Sequence, residues 1–285
     1  MVAIAACGGG NSDKPIDALV IIPDAPPDAP PDAFEPTFNL GCVGNTQGAA
    51  AANVTLSGFA AEVVVTAALQ PDIVPAHNVT VQVCKASSTT CTNTDQLFTF
   101  TTPMNGCPAT GCPFTSSSLA TGGTALDVYA KVSKGTGPTA NWTTYIYPAA
   151  PIIANVSNAP GVMFTDGVVS ALSLAGIVTQ DPNKAMMLVA VLDCADMPIT
   201  DTANLNLMIK QGGTAVAGTT LFDASQLDPT LAGTFAVFNV PTGDVATPTS
   251  VVTEVAGTYK TTTLRAHSVR VFPGGTTGTQ LRPGF

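Results

Sequence analysis

From residue 38 onward the chain is written in short stretches where apolar and polar residues alternate, the period of two that gives a strand one apolar face. Val79, Val81 and Val83 alternate with Thr80, Gln82 and Cys84, and Leu126, Val128, Ala130 and Val132 with Asp127, Tyr129, Lys131 and Ser133. Weaker runs fall at Val54–Leu56, Val63–Val65, Leu97–Thr101 and Trp142–Tyr147, separated by turn signals such as Pro71-Asp72, Asn105-Gly106 and Gly122-Gly123. One stretch has helical spacing instead: Asp166 as cap, Val168, Val169, Leu172 and Ala175 as a stripe, and Gly176 as a stop. Strands then resume, with Met187–Val191 apolar throughout and Leu205, Leu207 and Ile209 alternating with Asn206, Met208 and Lys210. Further strands are predicted at 220–222, 234–240, 251–255 and 268–272. Many short strands at such spacing predict an all-β chain of sandwich or barrel type. The Pro-rich run Tyr145-Ile-Tyr-Pro148-Ala-Ala-Pro151 divides it into two tandem β-sandwich domains, 38–153 and 154–285.

Ahead of residue 38 the texture is different. Pro23-Asp-Ala-Pro-Pro-Asp-Ala-Pro-Pro-Asp-Ala33 repeats a four-residue unit whose prolines remove backbone donors and fix φ, so neither helix nor sheet can form. Polyproline II remains, and at ~3.1 Å per residue the stretch 23–36 reaches about 40 Å. Residues 7–37 are therefore expected to be a disordered, semi-rigid Pro/Asp-rich stalk. Asp24, Asp28 and Asp32 do not make a calcium cage, because carboxylates four apart diverge on a helix of about three residues per turn.

The formal net charge is −9, and the stalk carries −5 of it through six acids against Lys14. Lys and Arg form no cluster, which excludes nucleic acid as the expected partner. The seven cysteines are Cys7, Cys42, Cys84, Cys91, Cys107, Cys112 and Cys194. With Cys7 set aside, six can pair, as in an oxidising compartment. Spacing favours Cys84–Cys91 and Cys107–Cys112, leaving Cys42 and Cys194 free or joined across domains. A four-cysteine zinc site is the competing reading, but spacings of six and four residues between ligands fit it poorly.

Catalytic signatures are missing: no G-x-S-x-G, no H-E-x-x-H, no phosphate loop and no dinucleotide fingerprint. His77 and His267 each stand alone, Asp193 and Asp196 fit a turn, and no catalytic residue, metal or cofactor is expected. Trp142, Tyr145 and Tyr147 could line a glycan platform, Tyr145 and Tyr147 sharing a strand face, against the plainer reading of sheet packing.

Two resemblances add to this. Ile4-Ala5-Ala6-Cys7 resembles the lipobox of bacterial lipoproteins, which implies that 1–6 are the end of a signal peptide and that Cys7 carries lipid; Gly8 resembles the signal for the outer membrane. Val191-Leu-Asp193-Cys-Ala-Asp-Met-Pro198, with Gly233-Thr-Phe235 and Asn239-Val-Pro-Thr-Gly243, resembles the carboxypeptidase-regulatory-like family, departing from it at Asp196, where that family usually has Gly. The resemblance implies Greek-key, transthyretin-like sandwiches acting as spacers or interaction modules. The expected function is that of a non-enzymatic, surface-anchored lipoprotein of the bacterial envelope with a structural or adhesive role, held at the membrane by its anchor and meeting a protein or glycan partner. The alternatives are a carbohydrate- or peptide-binding accessory module for a separate enzyme, and a hydrolase without a recognisable motif.

Overall fold

The computed structural model of the chain describes residues 37–66, 71–92, 94–134, 141–174, 178–226, 229–243 and 249–285. Cys7 and the stalk as far as residue 36 lie outside the described residues. Phe38–Phe285 form one unit. The strands of its first part are β1 (Asn53–Val54), β2 (Leu56–Val65), β3 (Pro71–Pro75), β4 (Thr80–Lys85), β5 (Gln96–Thr101), β6 (Cys112–Thr115), β7 (Leu119–Ala120), β8 (Val128–Ser133), β9 (Asn141–Ile146) and β10 (Val156–Thr165). Helix α1 (Asp166–Leu174) follows. Then come β11 (Ala185–Val191), β12 (Leu205–Gln211), β13 (Thr214–Ala215), β14 (Thr220–Asp223), β15 (Thr234–Val240), β16 (Val251–Tyr259), β17 (Thr262–Val271) and β18 (Gly275–Leu281). The fold is all-β and sandwich-like, as the alternation predicts.

One path of hydrogen-bonded neighbours runs β5-β4-β8-β9-β18-β11-β15-β14. At β9 the sheet forks, because Trp142 and Asn141 also pair with Phe164 and Thr165 of β10, which continues to β2. β6 and β3 share the far edge of β2, pairing with 57–60 and 61–65 respectively. β3 closes that edge with a proline at each end, where an exposed strand would otherwise invite further pairing. A second sheet, β13-β12-β16-β17, packs over one face of the first.

The core between the sheets follows from the period-two pattern. Tyr129, Tyr147, Met187, Val189 and Val191 from the large sheet meet Ile209, Val255, Leu264, Val269 and Val271 from the small one. The intervening residues, Ala130, Ile146, Leu188 and Ala190, point to the opposite face. There α1 covers the end of the sheet by setting Val169 against Met186 and Phe238. The line drawn from sequence at residue 153 falls between β9 and β10, and β9 is bonded in parallel to β18, Thr143 to Thr144 opposite Gly275 to Thr276.

β18 is the least expected of these strands. Its sequence, Gly-Thr-Thr-Gly-Thr-Gln-Leu, has no apolar alternation, yet it lies in the middle of the sheet with parallel partners on both sides. The glycine has a packing reason: a Cβ at Gly275 would come within 2.8 Å of Tyr145 Cε2.

The Asn239-Val-Pro-Thr-Gly243 segment owes its form to Asn239, which holds φ of 59° at the end of β15. Its side chain accepts the Asp181 N–H (2.8 Å) and donates to the Thr179 carbonyl (3.0 Å), while its own N–H reaches Gln180 Oε1 (3.0 Å). Asn239→Ala removes both side-chain bonds and leaves a Cβ residue in the left-handed region, so a loss of about 2 kcal/mol is expected in denaturant unfolding. Asn239→Gly keeps the backbone comfortable and should cost visibly less, which separates the two contributions.

Candidate functional site

Cysteine chemistry marks the places where distant segments are tied. Cys42 joins Cys194, Cys84 joins Cys91 and Cys107 joins Cys112, with Cα–Cα distances of 5.6, 5.5 and 4.8 Å. Around Cys194 the chain makes a tight turn organised by Asp193, which is 4% exposed. Its carboxylate accepts N–H groups from Asn39 (2.9 Å), Ala195 (2.8 Å) and Met197 (3.0 Å). Burial alone would raise its pKa, but the three donors hold it below the ordinary carboxylate value. Asp196 takes φ of 63°, the left-handed conformation that glycine favours, and pairs with Arg282 at 2.6 Å. The two acids are thus turn-forming, and neither points at a shared proton.

The β4–β5 hairpin assembles a second cluster. Thr80 lies opposite Thr101, so the residues just before β4 and just after β5 emerge at the same end. Thr102 locks that end by accepting the Val79 N–H (2.8 Å) and donating to the Ala76 carbonyl (2.7 Å). Cys107 therefore arrives beside His77, and Cys112 comes in from β6, paired opposite Ala60. His77 Nδ1 lies 3.8 Å from Cys112 Sγ, and the ligating atoms of His77, Cys107 and Cys112 all fall within 4.8 Å of one another. Cys112 is fully buried, whereas Cys107 and His77 are partly exposed. Sequence reading treats His77 as solitary. The signal it passes over is the hairpin itself, which turns a separation of 30 residues into a contact.

His267, on β17, is the other imidazole. Its Nδ1 is 2.8 Å from Thr279 Oγ1. Burial, reinforced by the nearby Arg265 guanidinium, pushes its pKa down to about 4, against a smaller upward pull from the Gln280 backbone. A neutral imidazole on a hydroxyl has the first ingredients of nucleophile activation, but Thr279 is only 5% exposed and no orienting carboxylate is bonded to the ring among the described residues.

Tyr145 and Tyr147, two of the three residues weighed as a glycan platform, pack into the sheet interface. Tyr147 is 2% exposed, and its ring stacks on Tyr129 at 5.2 Å. Tyr145 lies flat on Phe272 with centroids 3.7 Å apart. Burial raises the pKa of both phenols. The Trp142 side chain lies outside the described residues.

A wide concavity lies on the opposite face of the sheet. It is a groove of about 1110 Å³ walled by Ala130, Ile146, Val162, Phe164, Leu188 and Ala190, with Asp196 and Arg282 also on its wall.

No family model matches the chain, and no curated protein matches it. Among solved structures it is similar to the shaft pilin SpaA from Lactobacillus rhamnosus GG, at 8% identity and a TM-score of 0.23, over 82% of this chain and 98% of that one. It is also similar to GBS52, the minor pilin of Streptococcus agalactiae, at 10% identity and a TM-score of 0.21, over 80% and 95% of the two chains. At these TM-scores the likeness carries no argument, and a functional reading rests on this chain's own residues.

Proposed function

We propose that the chain is a non-enzymatic surface protein of the bacterial envelope, held at the outer membrane by lipid on Cys7 and displaying its β-sandwich region on the acidic stalk 7–37, with a structural or adhesive role. The observation that carries this reading is the cysteine pairing. Six of the seven cysteines are consumed in three disulfides, which leaves Cys7, in its Ala-Ala-Cys-Gly context, as the one with a separate purpose. The disulfides also suit an oxidising compartment, and the repeated Asp-Ala-Pro-Pro unit suits a spacer that holds a domain away from a surface. The Asn239-to-Gly243 motif supports a carboxypeptidase-regulatory-like module with a display role.

In detergent phase partition the protein should enter the detergent phase, and Cys7→Ala should move it to the aqueous phase. Wild-type protein that stays aqueous would remove the anchor from the reading. A second reading, a peptide- or glycan-binding accessory module, is favoured by the apolar groove. Binding on peptide and glycan arrays that disappears in Ala190→Arg would select it, and blank arrays would discard it.

A further inference from the structure

The three disulfides sit in different surroundings. Cys84 and Cys91 are 0% and 4% exposed, and Cys84 Sγ lies 3.7 Å from the Gln82 carbonyl oxygen, so an incoming thiol cannot reach the pair and a thiolate there would face a negative oxygen. Cys194 follows the Asp193 carboxylate directly, and Cys42 is held by a backbone bond from its N–H to Cys194 Sγ (2.9 Å). Both cysteines are partly exposed, and what sets this bond apart is the loop of 152 residues that it closes. Cys107–Cys112 differs from the first pair in accessibility and from both pairs in having one partly exposed and one buried cysteine. Cys107 is partly exposed, its partner is buried, and the group next to the buried sulfur is an imidazole instead of an oxygen. Its two cysteines are 5 residues apart, the shortest of the three separations, so opening this bond costs the fold the least.

We propose that Cys107–Cys112 together with His77 forms a thiol–disulfide exchange site for small-molecule thiols. The thiolate of an external thiol attacks the accessible Cys107 Sγ. A bond forms between that sulfur and the external sulfur, and the Cys107–Cys112 bond breaks. The electron pair leaves on Cys112 Sγ, which takes the Nδ1 proton of His77; the imidazole recovers a proton from solvent. A second thiol then attacks the external sulfur of the mixed disulfide and releases Cys107. Overall the protein disulfide gains two electrons and two protons while two thiols become one small disulfide. Attack in the other sense is blocked, because Cys112 is buried. Exchange rates rise as the leaving thiolate is stabilised, and His77 Nδ1, 3.8 Å from that sulfur, supplies this whenever it carries the ring proton.

The test uses the intact protein and reduced glutathione, with timed alkylation and peptide mapping by mass spectrometry. The glutathione adduct should form on Cys107 and the alkyl label on Cys112 before either other pair opens. His77→Asn should slow this opening about tenfold or more and leave the rates of the other two pairs unchanged. The proposal is overturned if either other pair opens first, if the adduct forms on Cys112, or if His77→Asn has no effect on the rate. It is equally overturned if that variant speeds all three pairs together, since that is the mark of a loosened fold and not of a lost proton donor.

Discussion

Replacing Cys42 and Cys194 together by Ala is expected to lower the unfolding free energy by about 5 kcal/mol, because this bridge closes a loop of 152 residues and so removes the most freedom from the unfolded chain. The same arithmetic gives only about 2 kcal/mol for the bridges that span 7 and 5 residues. The native side of the balance is well supported without the bond. Asn39 donates to Asp193, Cys194 N–H donates to the Asn39 carbonyl, and the Phe38 ring meets Tyr259 edge-on at 5.4 Å. The loss should therefore come mainly from a freer unfolded state, with the 38–42 segment still docked in native conditions. Guanidinium titration of wild type and double variant checks this. A drop no larger than that of the short bridges would show that the unfolded chain is already restricted and that loop closure is not the source.

Much of the fold was legible because period-two alternation is a local consequence of burying one sheet face. β4, β8 and β12 stand where their valines and leucines alternate with polar residues, and α1 begins at the Asp166 from which a helix was expected. β18 was illegible for the complementary reason. A strand buried between two parallel neighbours, with Gly275 required by the Tyr145 ring and β-branched threonines along its length, has no polar face and no apolar one to alternate. β10 was missed as well, since its pairing with β2 is parallel and depends on close backbone contact: a Cβ on Gly58 would fall 1.9 Å from the Ala159 carbonyl oxygen. Nothing within ten residues of either strand announces a partner a hundred residues away.

The chemistry was legible in part. Asp193 as a turn-former needs only the short spacing to Met197, and the structure supplies the bonds. Strand parity says that Tyr145 and Tyr147 share a face without saying which face the second sheet covers, so sequence left platform and packing both open, and Tyr147 is packed against Tyr129. Asn239 was legible as part of a motif and not as a conformation; its positive φ comes with bonds to residues 179–181, which lie 58 to 60 positions away in sequence.

Stability should fall between about pH 6.5 and about pH 4, and His267 should be responsible for most of the fall. Its folded-state pKa is about 4 against an ordinary 6.5, so in that window the unfolded chain takes up a proton that the folded chain refuses. The stabilisation is thus complete above about 6.5, is lost progressively as pH drops through the window, and changes no further once both states are protonated. The difference in pKa corresponds to about 3 kcal/mol across the window. Charging the ring would place a cation beside Arg265 in a site from which water is largely excluded, while the Thr279 hydroxyl can partner a neutral ring. Asp193 responds separately. Its pKa lies below the ordinary carboxylate value, so its contribution is lost only at lower pH, as the carboxylate itself takes a proton. Denaturant midpoints for wild type and His267→Asn at about pH 7 and about pH 4.5 distinguish the groups. Wild type should lose most of the 3 kcal/mol and the variant little, because an amide can still reach Thr279 and does not titrate. Equal losses in both proteins would assign the acid sensitivity to the carboxylates and place His267 outside it.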